Sequence, residues 1–236
     1  MDWISPFERQ PLFAVCLTVA AYASAEILWQ RTGKPALLHP VLIATAVLAG
    51  ILIVLGIAYE DYLRQAQPID EALALLIVLL AVPLCRQFSL IRKSGLPLVT
   101  ALVVGSTVAL GTALALPAVM GVGDDLVATI APKSATTAVA VKVSERLGGV
   151  AGLTAVIVIS TGMFGGAFGP LILELGGVRD DRAKGFALGV ASHAIGTARA
   201  FQISETAGAF ASVGMILNAL LTMALAPVAF AFLTSG

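Results

Sequence analysis

Apolar residues fall into runs of membrane-spanning length, separated by short polar connections. Six runs, at roughly 11–29, 41–58, 71–88, 96–119, 153–173 and 209–233, each approach the ~20 residues that cross a ~30 Å hydrocarbon core as a helix. Two further stretches, 124–146 and 184–205, are long enough to span but carry polar residues at their centres. The pattern predicts an all-α integral membrane protein of about eight membrane segments, two of them interrupted helices. His39-Pro40 opens the second segment, with proline in a first turn where its missing N–H loses no partner. Glu60-Asp61-Tyr62 closes it with charge and an interfacial aromatic. Asp124-Asp125 precedes the fifth, where negative charge favours a helix N-terminus. Gly162, Gly165, Gly166 and Gly169, before Pro170, serve either close helix packing or a kinked, re-entrant segment.

Composition removes the soluble alternative. The 236 residues are 58% apolar and 12% charged, with a mean hydropathy of +0.97, against about 25% charged residues in a soluble domain. Fourteen basic residues against fourteen acidic ones leave no basic footprint, so nucleic-acid binding has no support. Cys16 and Cys85 lie in apolar segments without metal-ligand spacing and read as small core hydrophobes. Residues 1–25 faintly resemble a signal segment. Asp2, Glu8 and Arg9 leave the start slightly acidic, so it reads as an uncleaved first span.

Basic residues cluster in the 1–2 connection (Arg31, Lys34), the 3–4 connection (Arg86, Arg92, Lys93), after the fifth segment (Lys142, Arg146) and after the sixth (Arg179, Arg182, Lys184). If every segment crossed once, the last two clusters would lie on opposite faces, against the positive-inside preference. A fifth or sixth segment that does not fully cross is one way out.

The two interrupted stretches match each other. Offset by 60, residues 131–151 align with 191–211 in eight of 21 positions: Thr137 with Thr197, Ser144 with Ser204, Glu145 with Glu205, Gly148 with Gly208, and four alanines. This predicts an internal repeat. The first break is Ala-Pro-Lys-Ser-Ala-Thr-Thr at 131–137; the second is Ser-His-Ala-Ile-Gly-Thr at 192–197. Pro132 removes a helical donor and disfavours α geometry before it. From Asp124 to Pro132 a helix rises ~12 Å, which brings the break near the bilayer middle. Irregular backbone at that depth survives only inside protein or beside a water-filled cavity, and paired interrupted helices are the best sequence pointer to a midplane substrate site.

The chemistry there suits a small anion. Half-helix N-termini offer free N–H groups; Lys133 and Arg199 add charge, and Arg can grip a carboxylate through two parallel bonds. Ser134, Thr136, Thr137, Ser192 and Thr197 offer hydroxyls, and Gly196 lies among them. Each has a plainer reading. The hydroxyls could bond helix carbonyls, Arg199 could pair with Glu205 or Glu174 or snorkel, and Lys133 could mark an interfacial loop. His193 reads equally as a satisfied core imidazole, a proton relay or a substrate donor. Asn218, inside the last segment, is either a helix–helix bridge or part of the site. No cofactor is expected, and no nucleophile–base or metal-ligand spacing points to an enzyme.

These residues resemble the LrgB (CidB/LrgB) family over most of the chain, most strongly from Pro132 to Pro227. The carrying pieces are Gly-Ile-Ala-Tyr-Glu-Asp-Tyr at 56–62, Pro132-Lys133-Ser134 with Thr136-Thr137, Phe168-Gly169-Pro170, Arg-Ala-Lys-Gly-Phe-Ala-Leu-Gly at 182–189, the block 191–200, and Gly208-Ala209-Phe210. The chain departs from the family pattern at His39, commonly Asn, at Leu75, commonly Pro, and at Ala138, commonly a second proline after the paired threonines. The resemblance implies two kinds of role. Bacterial members are named for effects on murein hydrolase activity and lysis, antiholin-like, with a small LrgA-type membrane partner. A plastid relative moves glycolate and glycerate, and bacterial pairs are linked to pyruvate uptake. The expectation is therefore a multi-pass protein of the cell inner membrane, forming one membrane domain over 1–236. Residues 1–120 would serve as a scaffold or homodimer half and 121–236 as a transport core with broken helices 124–146 and 184–205. That core would carry a small monocarboxylate with H+ or Na+ as coupling ion. The alternative is the antiholin-like regulator.

Overall fold

The computed structural model describes residues 12–33, 38–69, 71–72, 81–86 and 88–234, and every regular element among them is helical. The chain divides into two compact units, 1–81 and 82–236.

In the first unit, α1 (Phe13–Arg31) packs on α2 (Pro40–Leu55) through Ala21, Ala25 and Ala44. His39 caps α2 with Pro40 in its first turn, as the sequence leads one to expect, and its ring lies 5.5 Å from that of Trp29. The Glu60-Asp61-Tyr62 stretch does not close α2. Gly56, at φ +68°, ends that helix, and the chain turns 118° into a separate helix, α3 (Tyr59–Gln65). Both acidic residues then sit in the first turn of α3, where the helix dipole favours them. Tyr62 OH lies 2.7 Å from Thr18 Oγ1. Half of the expected third segment, 71–88, lies outside the described residues; its end is α4 (Ala81–Arg86), followed by α5 (Phe88–Lys93).

The second unit is built on three long helices, α6 (Gly95–Val119), α9 (Ala151–Leu175) and α11 (Glu205–Thr234). With α1 these are the four helices among the described residues long and apolar enough to cross a membrane, or five if α2 and α3 make one bent span. Of the eight expected segments, the two interrupted stretches do not run straight through, the second is the bent pair α2 and α3, and half of the third lies outside the described residues.

The first stretch is α7 (Asp124–Ile130), an irregular tip at 131–136, and α8 (Thr137–Arg146). Thr154 Oγ1 lies 2.7 Å from Ser144 Oγ and 3.2 Å from the Thr129 carbonyl, and Val150 N donates to Thr129 Oγ1 at 2.8 Å. In one continuous helix Thr129 and Ser144 would stand ~22 Å apart. The chain folds back on itself here. The second stretch, α10 (Asp181–Ile203), does the same at Ser192 and His193, which leave helical geometry. Gly196 comes against the Leu188 carbonyl, and Ala200 packs with Leu188. We refer to the entering limb (181–191) and the returning limb (194–203).

α9 measures both hairpins. Leu188, Ser192 and His193 meet Gly169, Gly165 and Gly162 in turn, so the entering limb of α10 runs antiparallel along α9 from its C-terminal end to its centre. The α7–α8 hairpin is pinned at the other end of α9, by Val150 and Thr154, and its Ala135 packs with Val158. The hairpins thus enter from opposite ends and their tips meet halfway along α9. The glycines of the sixth segment take the close-packing role, within an unbroken helix.

Candidate functional site

The first tip is shaped by Pro132, which is fully buried, and by short turn bonds from Lys133 N to the Ile130 carbonyl (3.0 Å) and from Ala135 N to the Pro132 carbonyl (2.9 Å). Thr136 is extended and starts α8. The second tip is two residues: Ser192 (φ −134°, ψ 16°) and His193 (φ 39°, ψ −128°), the one described non-glycine residue with positive φ. Such a conformation costs ~1–3 kcal/mol and persists only where its surroundings fix it. Here His193 Nε2 lies 3.0 Å from the Val158 carbonyl, and a Cβ at Gly162 would stand 2.6 Å from His193 Cε1. Ser192 Oγ fills the space where Gly165 has no side chain.

Asn218, midway along α11, joins the two tips. Its Nδ2 donates to the Ser134 carbonyl at 2.8 Å and to the Val190 carbonyl at 3.2 Å, and its Oδ1 accepts from Ser106 Oγ of α6 at 2.7 Å. Both amide hydrogens and the carbonyl are engaged, so Asn218 is the bridge between helices.

The fold gathers Lys133, Ser134, Thr136 and Thr137 at one tip and Ser192 and His193 at the other. Lys133 is half-buried, and neither its ammonium nor the hydroxyls of Ser134, Thr136 and Thr137 has a hydrogen-bond partner among the described residues. Ser192 Oγ is buried and likewise unpartnered. Thr197 is committed: its Oγ1 donates to the His193 carbonyl at 2.8 Å and faces Met215 Sδ at 3.8 Å. Gly196 serves the close approach of the two limbs, since a Cβ there would strike the Leu188 carbonyl. Arg199 stands ~9 Å beyond His193 along the returning limb, with Nη1 donating to Gln202 Oε1 at 2.7 Å. Glu205, one of the partners open to Arg199 from sequence, instead pairs with Arg86 at 3.7 Å.

Sequence reasoning missed the hydroxyl cluster of Thr129, Ser144 and Thr154, which is fully buried and fastens the base of the first hairpin to α9. It also missed Ser106. The available signal was a lone hydroxyl in the apolar middle of a span, as at Ser106 and Thr154, where water cannot satisfy it. At the opposite end of the unit, Asp180 caps α10 and grips Arg182 through both carboxylate oxygens. Those bonds hold its pKa at about 2, below the ordinary 3.8, and raise that of Arg182.

The model of the LrgB-like family matches residues 18–232. The holin-like protein CidB of Staphylococcus epidermidis is 33% identical over 219 residues, covering 93% of this chain and 95% of that protein. Its Staphylococcus aureus counterpart, also named a holin-like protein, is 34% identical over 219 residues with the same coverage. The YxaC protein of Bacillus subtilis is 36% identical over 210 residues, 89% of this chain and 91% of that protein. No solved structure matches the chain significantly.

Proposed function

The chain belongs to the LrgB-like family, and from that premise we propose that it is a holin-like protein of the cell inner membrane whose core lets a small anion pass. The holin-like part is the reading the relatives' names support better. It carries with it an LrgA-type membrane partner, an antiholin-like influence on murein hydrolase activity and lysis, and a homodimer. The anion part rests on geometry. One observation carries it: two hairpins entering from opposite ends meet at Asn218, with the Lys133 ammonium and the hydroxyls of Ser134, Thr136, Thr137 and Ser192 left without partners among the described residues.

A half-buried ammonium in lipid is costly unless a counter-charge or water meets it. A monocarboxylate such as glycolate, glycerate or pyruvate would supply that charge, and its remaining oxygens would accept from the hydroxyls. The helix starting at Thr137 and the returning limb of α10 both begin at the tips, which adds N–H donors of the kind that hold carboxylates in transporters with broken helices. Arg199 would be a second cation on the route from the returning limb, and His193 a group for proton coupling; Na+ is the other coupling ion. The internal repeat has support of the same kind: Thr129 meets the start of α9, and 60 residues on Gly189 meets Ala211 near the start of α11.

The test is uptake of labelled glycolate and pyruvate into proteoliposomes beside release of a small trapped dye. Saturable monocarboxylate uptake that is lost in Lys133→Gln is the expected result. Dye release without saturable uptake, enhanced by an LrgA-type partner, would leave the holin-like part standing and remove the anion site.

A further inference from the structure

Apart from the tips, the second unit holds a cleft of about 720 Å³ between α6 and the entering limb of α10. Its walls include small residues at helical spacing, Ala101, Gly105 and Ala109 on one side and Ala187 and Ala191 on the other, between larger apolar side chains such as Leu98, Phe186 and Phe210. Facing rows of small residues normally allow two membrane helices to close on each other; here α6 and α10 touch at Gly105 and Val190, and the cleft lies beside that contact. The cleft opens where both helices begin, at Lys93, Asp180 and Arg182.

Three properties select an occupant. The body of the cleft is apolar, and along α6 from Gly95 to Ala109 it is ~21 Å long, enough to span the ~15 Å of one leaflet. Its volume is too small for a helix ~10 Å across over that length, but within the range that holds a slender ligand. At the mouth Asp180 neutralises Arg182, while Lys93 has no ion-pair partner among the described residues and supplies a net positive charge at the level of lipid headgroups. Basic residues beside a groove between membrane helices recognise lipid phosphate. We propose that this cleft is a phospholipid site, with one acyl chain lying between α6 and α10 and the phosphate resting on Lys93. The lipid would then brace the entering limb from the face opposite α9.

The experiment uses the purified full chain, delipidated in detergent and then given phosphatidylglycerol, phosphatidylethanolamine or diacylglycerol, which has the chains but no phosphate. Native mass spectrometry and thermal unfolding read retention. One phospholipid per chain should be retained and should raise the unfolding temperature, with either headgroup but not with diacylglycerol. Ala187→Phe, which fills the cleft, should abolish retention. Lys93→Gln, exposed at the mouth and harmless to packing, should weaken it about fivefold, the effect of one basic residue near a lipid surface. Equal retention of diacylglycerol, or unchanged retention in Lys93→Gln, would overturn the proposal. So would disulfide crosslinking between two copies carrying Ala187→Cys in native membranes, which would make the cleft a chain–chain interface.

Discussion

The side-chain amide of Asn218 donates to the carbonyl of Ser134 at 2.8 Å, tying the middle of α11 to the tip of a hairpin 84 residues earlier in the chain. The same nitrogen reaches the Val190 carbonyl at 3.2 Å, just before the second tip. One side chain therefore links the two tips directly, beside the contacts each makes with α9. Substituting Asn218→Leu would strand two backbone carbonyls and the Ser106 hydroxyl in the interior. A buried polar group left unsatisfied costs ~1–3 kcal/mol, softened where the unfolded chain in the membrane finds other partners. Thermal unfolding in detergent should show a clear loss for Asn218→Leu, and a smaller one for Ser106→Ala, which removes only the bond to Oδ1. Equal stability of Asn218→Leu and the native chain would refute the bridge.

The glycines of α9 give a contrast within one helix. A Cβ at Gly165 would fall on Ser192 Oγ, and one at Gly162 would crowd the His193 ring, whereas at Gly152 it would meet nothing within 4 Å. Overpacking at the first two should destabilise by ~1–3 kcal/mol. Gly152→Ala should be neutral or stabilising by up to ~1 kcal/mol, because it removes chain entropy from a helical position. Unfolding temperatures of the three variants test the order. If Gly165→Ala matched Gly152→Ala, the second tip would not sit against α9.

Much of this core was readable in the residues. Pro132 and the polar block after Ala191 gave away both breaks. The fold-back could not be read, because local geometry is the same for a break that continues and one that reverses. What decides is contact far along the chain, such as Thr154 with Thr129 and Gly196 with Leu188. Arg199 shows the same limit from the other side. Seven residues from Ser192, it looks like a member of the site, but on a returning helix those residues carry it away from the tip. Asn218 had no break around it and so read most simply as a bridge, which is where its bonds put it.

The Asp180–Arg182 pair makes a prediction in pH. Asp180 titrates at about 2 rather than 3.8, so its pairing is stabilising above pH 3.8 and is lost as pH falls through about 2. Both groups are exposed, and exposed pairs contribute little. Asp180→Asn also keeps some of the N-cap bond to Arg182 N, since its side-chain oxygen still accepts. Native chain and Asp180→Asn should therefore differ slightly at pH 5 and converge by about pH 2. Salt at about 1 M, where the Debye length is ~3 Å, should shrink the difference at pH 5. A gap that widens on acidification would contradict the pairing.

The hairpins also decide which way the second unit faces. α6 and α11 run the same way, since Leu102 packs with Phe210 and Val213, while Leu110 and Leu114 pack with Ala226. α9 runs against them. One end of the unit therefore carries Arg86, Arg92, Lys93, Arg179, Arg182 and Lys184, and the other only Lys142 and Arg146, on the limb that leads back out of the first hairpin. Basic residues next to membrane helices are retained on the cytoplasmic side. The expected orientation is the end with Arg179 inside and the turn at Met120 outside. In a chain with Cys16 and Cys85 replaced, Met120→Cys should react with a membrane-impermeant maleimide on intact spheroplasts, and Arg179→Cys only after permeabilisation. The reverse pattern would invert the orientation. Labelling of both from one side would mean that α9, the 25-residue helix on which the two hairpins are placed, does not cross the membrane at all.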